Sequence, residues 1–235
     1  MFLRTPTPSD AMTRPREWLN PLVDWSHDPE ESANTLTHGL GFLLSVIGAV
    51  ALGMQVARTG DAWRMLGCSI YAPSLMAVYA MSTLSHVCVL PDRKRLFRML
   101  DQGTIYLLIV GTYTPFSLTF LRSGPWWFFL AFLWAVAMFG CLSKVLLAHR
   151  IDRVAIWLYV FLGWLQGIAV VSLAGRLPST ATWWMVIGGL FYTVGTVFLI
   201  LDRYVRHFHA LWHLFVIAGS ACHFLVIYLW VAAAR

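Results

Sequence analysis

The sequence predicts an all-α fold, a bundle of seven transmembrane helices with the N-terminus cytoplasmic and the C-terminus outside. Hydrophobic residues make up 59% of the 235 residues and charged residues only 12%, with a mean hydropathy of +0.67. A soluble domain carries about 25% charged residues, because its surface faces water. This composition excludes a disordered chain, a collagen and a small disulfide framework, and it indicates a surface that faces lipid.

The chain divides into a polar tail and a membrane domain. Residues 1–33 are polar, contain five prolines and lack the apolar core of a signal peptide, so they are expected to remain as a cytoplasmic tail. Residues 34–235 are predicted to form the transmembrane domain. They contain seven apolar stretches of roughly 20 residues each, the length that crosses the hydrocarbon core of a bilayer. The predicted spans are approximately 35–56, 65–90, 100–120, 125–147, 154–174, 182–201 and 209–232.

The orientation follows from the basic residues in alternate loops. With the N-terminus inside, twelve of the 17 Lys and Arg residues fall on the cytoplasmic side. Cytoplasmic loops carry the excess of basic residues in membrane proteins. Lys144, near the inner end of the fourth span, is expected to extend to lipid headgroups.

The positive net charge of the chain indicates that its partners are membrane lipids and not nucleic acid. The net charge is +6, but no basic stripe is interleaved with exposed aromatic residues, and basic loops commonly lie beside the anionic inner leaflet. The four cysteines lie in or beside apolar stretches without a C-x-x-C spacing, which is typical of small buried hydrophobic residues. The sequence assigns no oligomeric state.

Ionisable residues inside the predicted spans are the informative ones, because burying them is costly unless they are paired or bound to a metal. Five of them lie at the inner ends of four predicted helices and are expected to meet in one layer: His38, His86, Asp101, His209 and His213. A sixth, His223, lies ten residues beyond His213, about 15 Å deeper along the helix. It is predicted to be a buried, hydrogen-bonded histidine.

The spacing of His209 and His213 predicts a metal site. Residues four apart share one face of a helix, so both imidazoles can reach one ion, and His86 can supply a third nitrogen. Ser82 lies one turn before His86, and Asp101 is positioned to accept a proton from a metal-bound water. Two alternatives remain open from the residues alone. The histidines can extend to headgroups, and Asp101 can cap the third helix.

Four motifs, in order along the chain, resemble those of the haemolysin III-type proteins, the bacterial branch of the progestin and adipoQ receptor family. The first is E-x-x-N-x-x-T-H over residues 31–38, and the second is S-x-x-x-H over residues 82–86. The third runs from Leu100-Asp101 to the G-T-Y-T-P-F of residues 111–116. The fourth is F-H-A-L-W-H over residues 208–213, followed by A-G-S-A-C-H-F over 218–224.

The resemblance implies seven transmembrane helices and one zinc ion (Zn²⁺) near the cytoplasmic face. By motif, the ligands are His86, His209 and His213, with Ser82 and Asp101 as catalytic residues beside the zinc-bound water. The E-x-x-N-x-x-T-H motif has no ligand role in the family pattern and is expected to tie the first helix to the bundle in the same layer. The location implied is the inner membrane of a bacterial cell.

Two functional classes follow from this resemblance. The first is a zinc-dependent hydrolase of a lipid amide or ester bond, similar to the alkaline ceramidases, in which Asp101 accepts a proton from the attacking water. The second is a non-catalytic membrane regulator or haemolysin-like protein in which zinc only holds helices together, with Asp101 as the one plausible fourth ligand. The long N-terminal domain and the extracellular tail of the animal receptors are missing from this chain, which argues against hormone reception.

Overall fold

The computed structural model describes residues 28–147, 152–173 and 175–233, and these residues form a helical bundle without strands. The α-helices are α1 (Pro29–Ala57), α2 (Ala62–Val87), α3 (Pro91–Phe120), α4 (Pro125–Leu147), α5 (Asp152–Leu165), α6 (Gly167–Ser172), α7 (Ser179–Leu201) and α8 (Phe208–Val226). A π-helical turn, Ile227–Val231, continues α8. The predicted all-α membrane fold is confirmed.

Six of these helices are long and apolar enough to cross a membrane, and the fifth predicted span is a shorter apolar segment, Ile156–Ser172. That span was predicted as one continuous helix over 154–174, but it is interrupted at Gln166, between α5 and α6. The Gln166 side-chain nitrogen donates to the Ile109 carbonyl of α3 at 3.0 Å. A polar side chain in the middle of a span needs such a partner, because lipid offers none.

Two helices begin earlier than the apolar pattern indicates. α1 starts at Pro29, inside the region expected to be a polar tail, and Asp28 caps it by accepting from the Glu30 amide at 2.9 Å. α3 starts at Pro91, so the basic segment expected to be a loop forms its first turns. Proline at the first helical position is preset for the helix and lacks the amide hydrogen that would be unpaired there. Residues 1–27 of the predicted tail lie outside the described residues.

The centre of the bundle is α3. Within its most apolar 18 residues, 72% are buried inside the bundle, against 17% for α7. α3 packs between α2 and α4, while α1 packs on α2 and α8 packs on both α7 and α1. Large apolar side chains on the outer faces of α1, α4, α5 and α7 are exposed, as a surface in contact with lipid requires.

Close approach of α2 and α3 depends on a glycine. A Cβ added to Gly67 would lie 2.8 Å from the Cα of Pro115, so a larger residue cannot occupy that position without moving the α3 backbone. Short connections make α1, α2 and α3 run antiparallel to one another in turn, and α8 packs on α1. The start of α1, the end of α2 and the start of α8 therefore share one end of the bundle.

Candidate metal centre

Three imidazoles from two helices meet at that end of the bundle. One potential ligand atom from each of His86, His209 and His213 lies within 4.8 Å of the other two. His209 and His213 lie on the same face of α8, with ring centroids 4.6 Å apart, as their spacing predicts. The His86 ring, from the last turn of α2, lies 5.1 Å from His209 and 5.2 Å from His213. These three residues are called the histidine cluster below.

A short turn between α7 and α8 positions the start of α8. His207, the residue before the helix, has a left-handed backbone with φ of 63°, and its amide donates to Glu30 Oε1 at 3.3 Å. The contact of the His207 amide with Glu30 ties the beginning of α8 to the beginning of α1 and places His209 in the first turn of α8. The side chain of His207 is exposed.

Each imidazole of the histidine cluster has a hydrogen-bond partner at Nδ1. His86 Nδ1 lies 2.6 Å from Glu31 Oε2, and His209 Nδ1 lies 2.8 Å from Asp202 Oδ2. His213 Nδ1 lies 2.9 Å from Thr37 Oγ1. Metal-binding histidines typically make such a bond with one nitrogen, which orients the ring and leaves the other nitrogen for the ion.

The Thr37 hydroxyl determines which nitrogen of His213 carries the proton. Thr37 Oγ1 lies 2.9 Å from the Ala33 carbonyl and 3.0 Å from the Asn34 carbonyl, both of which can only accept. Because a hydroxyl has one hydrogen to donate, its oxygen accepts from the Nδ1–H of His213. The neutral imidazole then has its lone pair on Nε2, the form that a metal ligand requires.

The donor set fits zinc. His86 Nε2 is buried and has no hydrogen-bond partner among the described residues, although buried polar atoms are nearly always paired. Imidazole nitrogens suit zinc, whereas calcium and magnesium prefer oxygen ligands. The unpaired nitrogen of His86 is therefore well explained as a metal ligand in a site of three neutral histidines.

Glu31 connects the histidine cluster to the charged end of α3. Its Oε1 accepts from Lys94 Nζ at 2.7 Å and lies 3.6 Å from Arg98, while its Oε2 accepts from His86. The carboxylate is thus shared between two cations and one imidazole, which keeps it ionised and fixed in place. The E-x-x-N-x-x-T-H motif contributes two of the three Nδ1 partners.

Ser82 and Asp101 lie next to each other, beside the histidine cluster. Both line the same cavity as His209 and His213. Asp101 does not belong to the group of atoms that can hold one ion. It also does not cap α3, because that helix begins ten residues earlier, at Pro91. The carboxylate is therefore placed next to the histidine cluster, where its role stays a prediction.

His38 lies at the same level as the histidine cluster but is not one of its three residues. Its ring stacks on His213 with centroids 3.5 Å apart, and it meets the edge of Tyr79 at 5.2 Å. Only 3% of the residue is exposed. Stacking on this face limits rotation of the His213 ring.

Two expectations about polar side chains are wrong. Lys144 does not extend to headgroups; it is 7% exposed and its Nζ donates to Gln102 Oε1 at 2.9 Å. Gln102, beside Asp101 on α3, offers an acceptor inside the bundle, so the lysine turns inward. His223 was expected to be hydrogen-bonded, but its Nδ1 is buried without a partner in the described part of the chain.

A large cavity leads from the histidine cluster into the membrane domain. Its volume is about 1140 Å³, and side chains of α3, α5, α6, α7 and α8 form most of its wall. Ligand pockets for small molecules typically measure about 300–1,000 Å³. Lys144, Gln166, Tyr192 and His223 also line it.

Asp202 is the site residue that the sequence analysis missed. It follows the last residue of α7 and holds His209 across the turn. The signal available was a carboxylate at the end of an apolar span, seven residues before a candidate ligand. A turn of unknown shape separates the two, so helical spacing alone does not bring them together.

Comparison with known proteins identifies the family of this chain. The family model described as "Haemolysin-III related" matches residues 27–224. "Hemolysin-3" of Bacillus cereus is 36% identical over 202 residues, which cover 86% of this chain and 92% of that protein. "Hemolysin-3 homolog" of Bacillus subtilis (strain 168) is 36% identical over 198 residues, covering 84% and 92%.

A more distant relative comes from animals. "Monocyte to macrophage differentiation factor" of Homo sapiens is 28% identical over 210 residues, which cover 85% of this chain and 83% of the human protein. No solved structure matches the chain. The family model covers the four motifs and the histidine cluster. The chain is therefore a multi-pass integral membrane protein that belongs to the haemolysin III family, within the wider progestin and adipoQ receptor family.

Proposed function

We propose that this protein is a zinc-dependent hydrolase that cleaves an amide or ester bond of a membrane lipid. One observation carries the proposal. Three imidazoles, each fixed at Nδ1, form one cluster, and two of them, His209 and His213, line a cavity of about 1140 Å³ that Ser82 and Asp101 also line. A metal site, a carboxylate and a space for an acyl chain therefore occur together.

His86, His209 and His213 would hold the ion. When bound, zinc polarises a carbonyl oxygen and makes water more acidic. The Asp101 carboxylate lies beside the cluster and accepts the proton of the attacking water, then returns it to the leaving amine or alcohol. Ser82, which lines the same cavity as Asp101, would donate a hydrogen bond that keeps the carboxylate directed toward the cluster. The apolar walls hold the acyl chain and limit access of bulk water.

The ligand count supports a catalytic site over a structural one. Structural zinc sites are closed by four protein ligands, whereas catalytic sites have three and leave a position open. Among the described residues only the three histidines form a group that can hold one ion, and Asp101 lies outside it. The alternative, a membrane regulator whose zinc only clamps α2 and α8, needs a fourth ligand.

The location proposed is the inner membrane of a bacterial cell, with the N-terminus and the histidine cluster on the cytoplasmic side. The bias of basic residues supports this orientation. Among the described residues, Lys94 and Arg98 lie beside the histidine cluster, where they would face the anionic leaflet. The substrate would then be a lipid whose scissile carbonyl lies near that leaflet.

The substitution Asp101→Asn tests the proposal. It keeps the size of the side chain but removes the proton acceptor. We expect zinc content and melting temperature to stay unchanged while hydrolysis of a lipid amide or ester falls about 10²–10⁴-fold. All three quantities are measured on one preparation in detergent or nanodiscs. Asp92→Asn, an exposed position in the first turn of the same helix, is the matched control and should behave as wild type.

Two outcomes would contradict the proposal. Loss of zinc and of thermal stability in Asp101→Asn would identify Asp101 as a fourth ligand of a structural site. Unchanged turnover of a substrate that the wild type cleaves would show that Asp101 is not the proton acceptor.

A further inference from the structure

A second group of polar residues lies deeper in the bundle than the histidine cluster. Tyr79 of α2 donates to Ser220 Oγ of α8 at 2.9 Å, and Tyr192 of α7 lies 2.9 Å from the same oxygen. These three hydroxyls satisfy one another. With His223, which packs on Tyr192, they form what is called the deep polar layer below.

His223 is the unsatisfied member of this layer. Its ring lies parallel to that of Tyr192, with centroids 5.7 Å apart and 11° between the planes. It lines the large cavity, and its Nδ1 is buried without a partner among the described residues. Because buried polar atoms are nearly always hydrogen-bonded, the nitrogen indicates a partner that the polypeptide does not supply.

The position of His223 relates it to the histidine cluster. It lies ten residues beyond His213 on the same helix, a rise of about 15 Å. The hydrocarbon core of a bilayer is about 30 Å thick. His223 therefore lies near the middle of the membrane, at a point that an acyl chain extending from the histidine cluster would reach.

A second polar side chain that lines the cavity lies at the break in the fifth span. Gln166, at the break between α5 and α6, lines the cavity. Two residues earlier, Trp164 Nε1 donates to Thr193 Oγ1 at 2.9 Å, and Thr193 is the neighbour of Tyr192 on α7. The break in the fifth span is thereby held beside the deep polar layer.

We propose that this part of the cavity is a subsite for an oxygen atom in the middle of an acyl chain, a hydroxyl or a keto group. The inference rests on the proposed function, because the carboxyl or carbonyl end of the lipid would lie at the histidine cluster. A saturated chain would leave the His223 imidazole, which lines the cavity, without a hydrogen-bond partner. A chain with an oxygen at this depth would pair with it, and sites that pair a substrate hydroxyl discriminate against analogues that lack it.

A binding experiment tests the subsite. The full-length protein in phosphatidylcholine nanodiscs is loaded with a fluorescent fatty acid, which is then displaced by stearate or by hydroxystearates with the hydroxyl at successive positions. We expect one mid-chain position to bind about tenfold more tightly than stearate, the effect of roughly one net hydrogen bond. His223→Leu should abolish this preference, so that stearate and the hydroxystearates bind with equal affinity. His223→Gln, which keeps a donor and an acceptor, should retain part of it.

The outcomes separate this inference from the proposed function. Equal affinity for all the acids in the wild type, or a preference that survives in His223→Leu, overturns the subsite while stearate binding still supports a lipid cavity. Binding of none of the acids overturns both the subsite and the lipid cavity. Since binding is measured and not turnover, an absence of hydrolysis leaves the test of the subsite intact.

Discussion

Histidines at the two ends of the cavity differ in what surrounds them. Each member of the histidine cluster has a carboxylate or hydroxyl partner at Nδ1, supplied by Glu31, Asp202 or Thr37. His223, about 15 Å away by helical rise, has no partner for its Nδ1 and packs on an aromatic ring. In this comparison the candidate ligand histidines are distinguished by the groups that orient them, since both ends contain buried imidazoles on the same helix.

The largest expected effect concerns the side of the membrane on which each end lies. A reporter enzyme fused after Arg235 should be active on the outer side, and reporters inserted in residues 148–153 should be active on the cytoplasmic side. Paired reporters that function on opposite sides provide the measurement and its control. If the C-terminal reporter lies in the cytoplasm, the histidine cluster is not at the inner leaflet and the proposed location is wrong.

The second effect is loss of metal from one end of the cavity. His213→Ala removes one of three ligands and should reduce zinc below one ion per chain, because two imidazoles cannot complete the site. Elemental analysis after dialysis against a weak chelator measures the loss. His207→Ala, an exposed histidine six residues earlier, is the control and should retain zinc. One zinc per chain in His213→Ala would remove this residue from the ligand set.

The smallest effect tests the orienting partner. Thr37→Val keeps the shape of the side chain but removes the oxygen that holds His213 Nδ1, and we expect zinc affinity to fall about 10–100-fold. Thr37→Ser keeps the hydroxyl and should retain most of the affinity, as determined by chelator competition. Equal affinity in the two variants would mean that packing, including the stack of His38 on His213, suffices to orient the ring.

The sequence predicted the features that depend on one helix at a time. Apolar length identified the spans, and the four-residue spacing placed His209 and His213 on one face of α8. Contacts that depend on how one helix is rotated against another were not predictable in the same way. When a helix is apolar on all sides, its sequence gives little indication of which side faces the neighbouring helices. The inward direction of Lys144 and the break at Gln166 were therefore found only in the structure.

The same distinction, between features of one helix and contacts between helices, applies to the site residues. His86, Ser82 and Asp101 were found through motifs, and the structure brings them next to α8. The position of Asp202 depends on the shape of the turn after α7, which no periodicity encodes. The partner of His213, Thr37, was inside a motif whose expected part was only to attach the first helix.

The histidine cluster comes from α2 and α8 and two of its Nδ1 partners come from α1, which has a consequence for biosynthesis. The ribosome completes α1 and α2 long before α8, so Glu31, Thr37 and His86 are in the membrane while two of the three candidate ligands are still unmade. A metal ion that needs all three imidazoles can bind only after the last helix has inserted and packed against α1. Metal loading would then mark the completion of assembly, and binding free energy released at that moment would stabilise the finished bundle against its unfolded states.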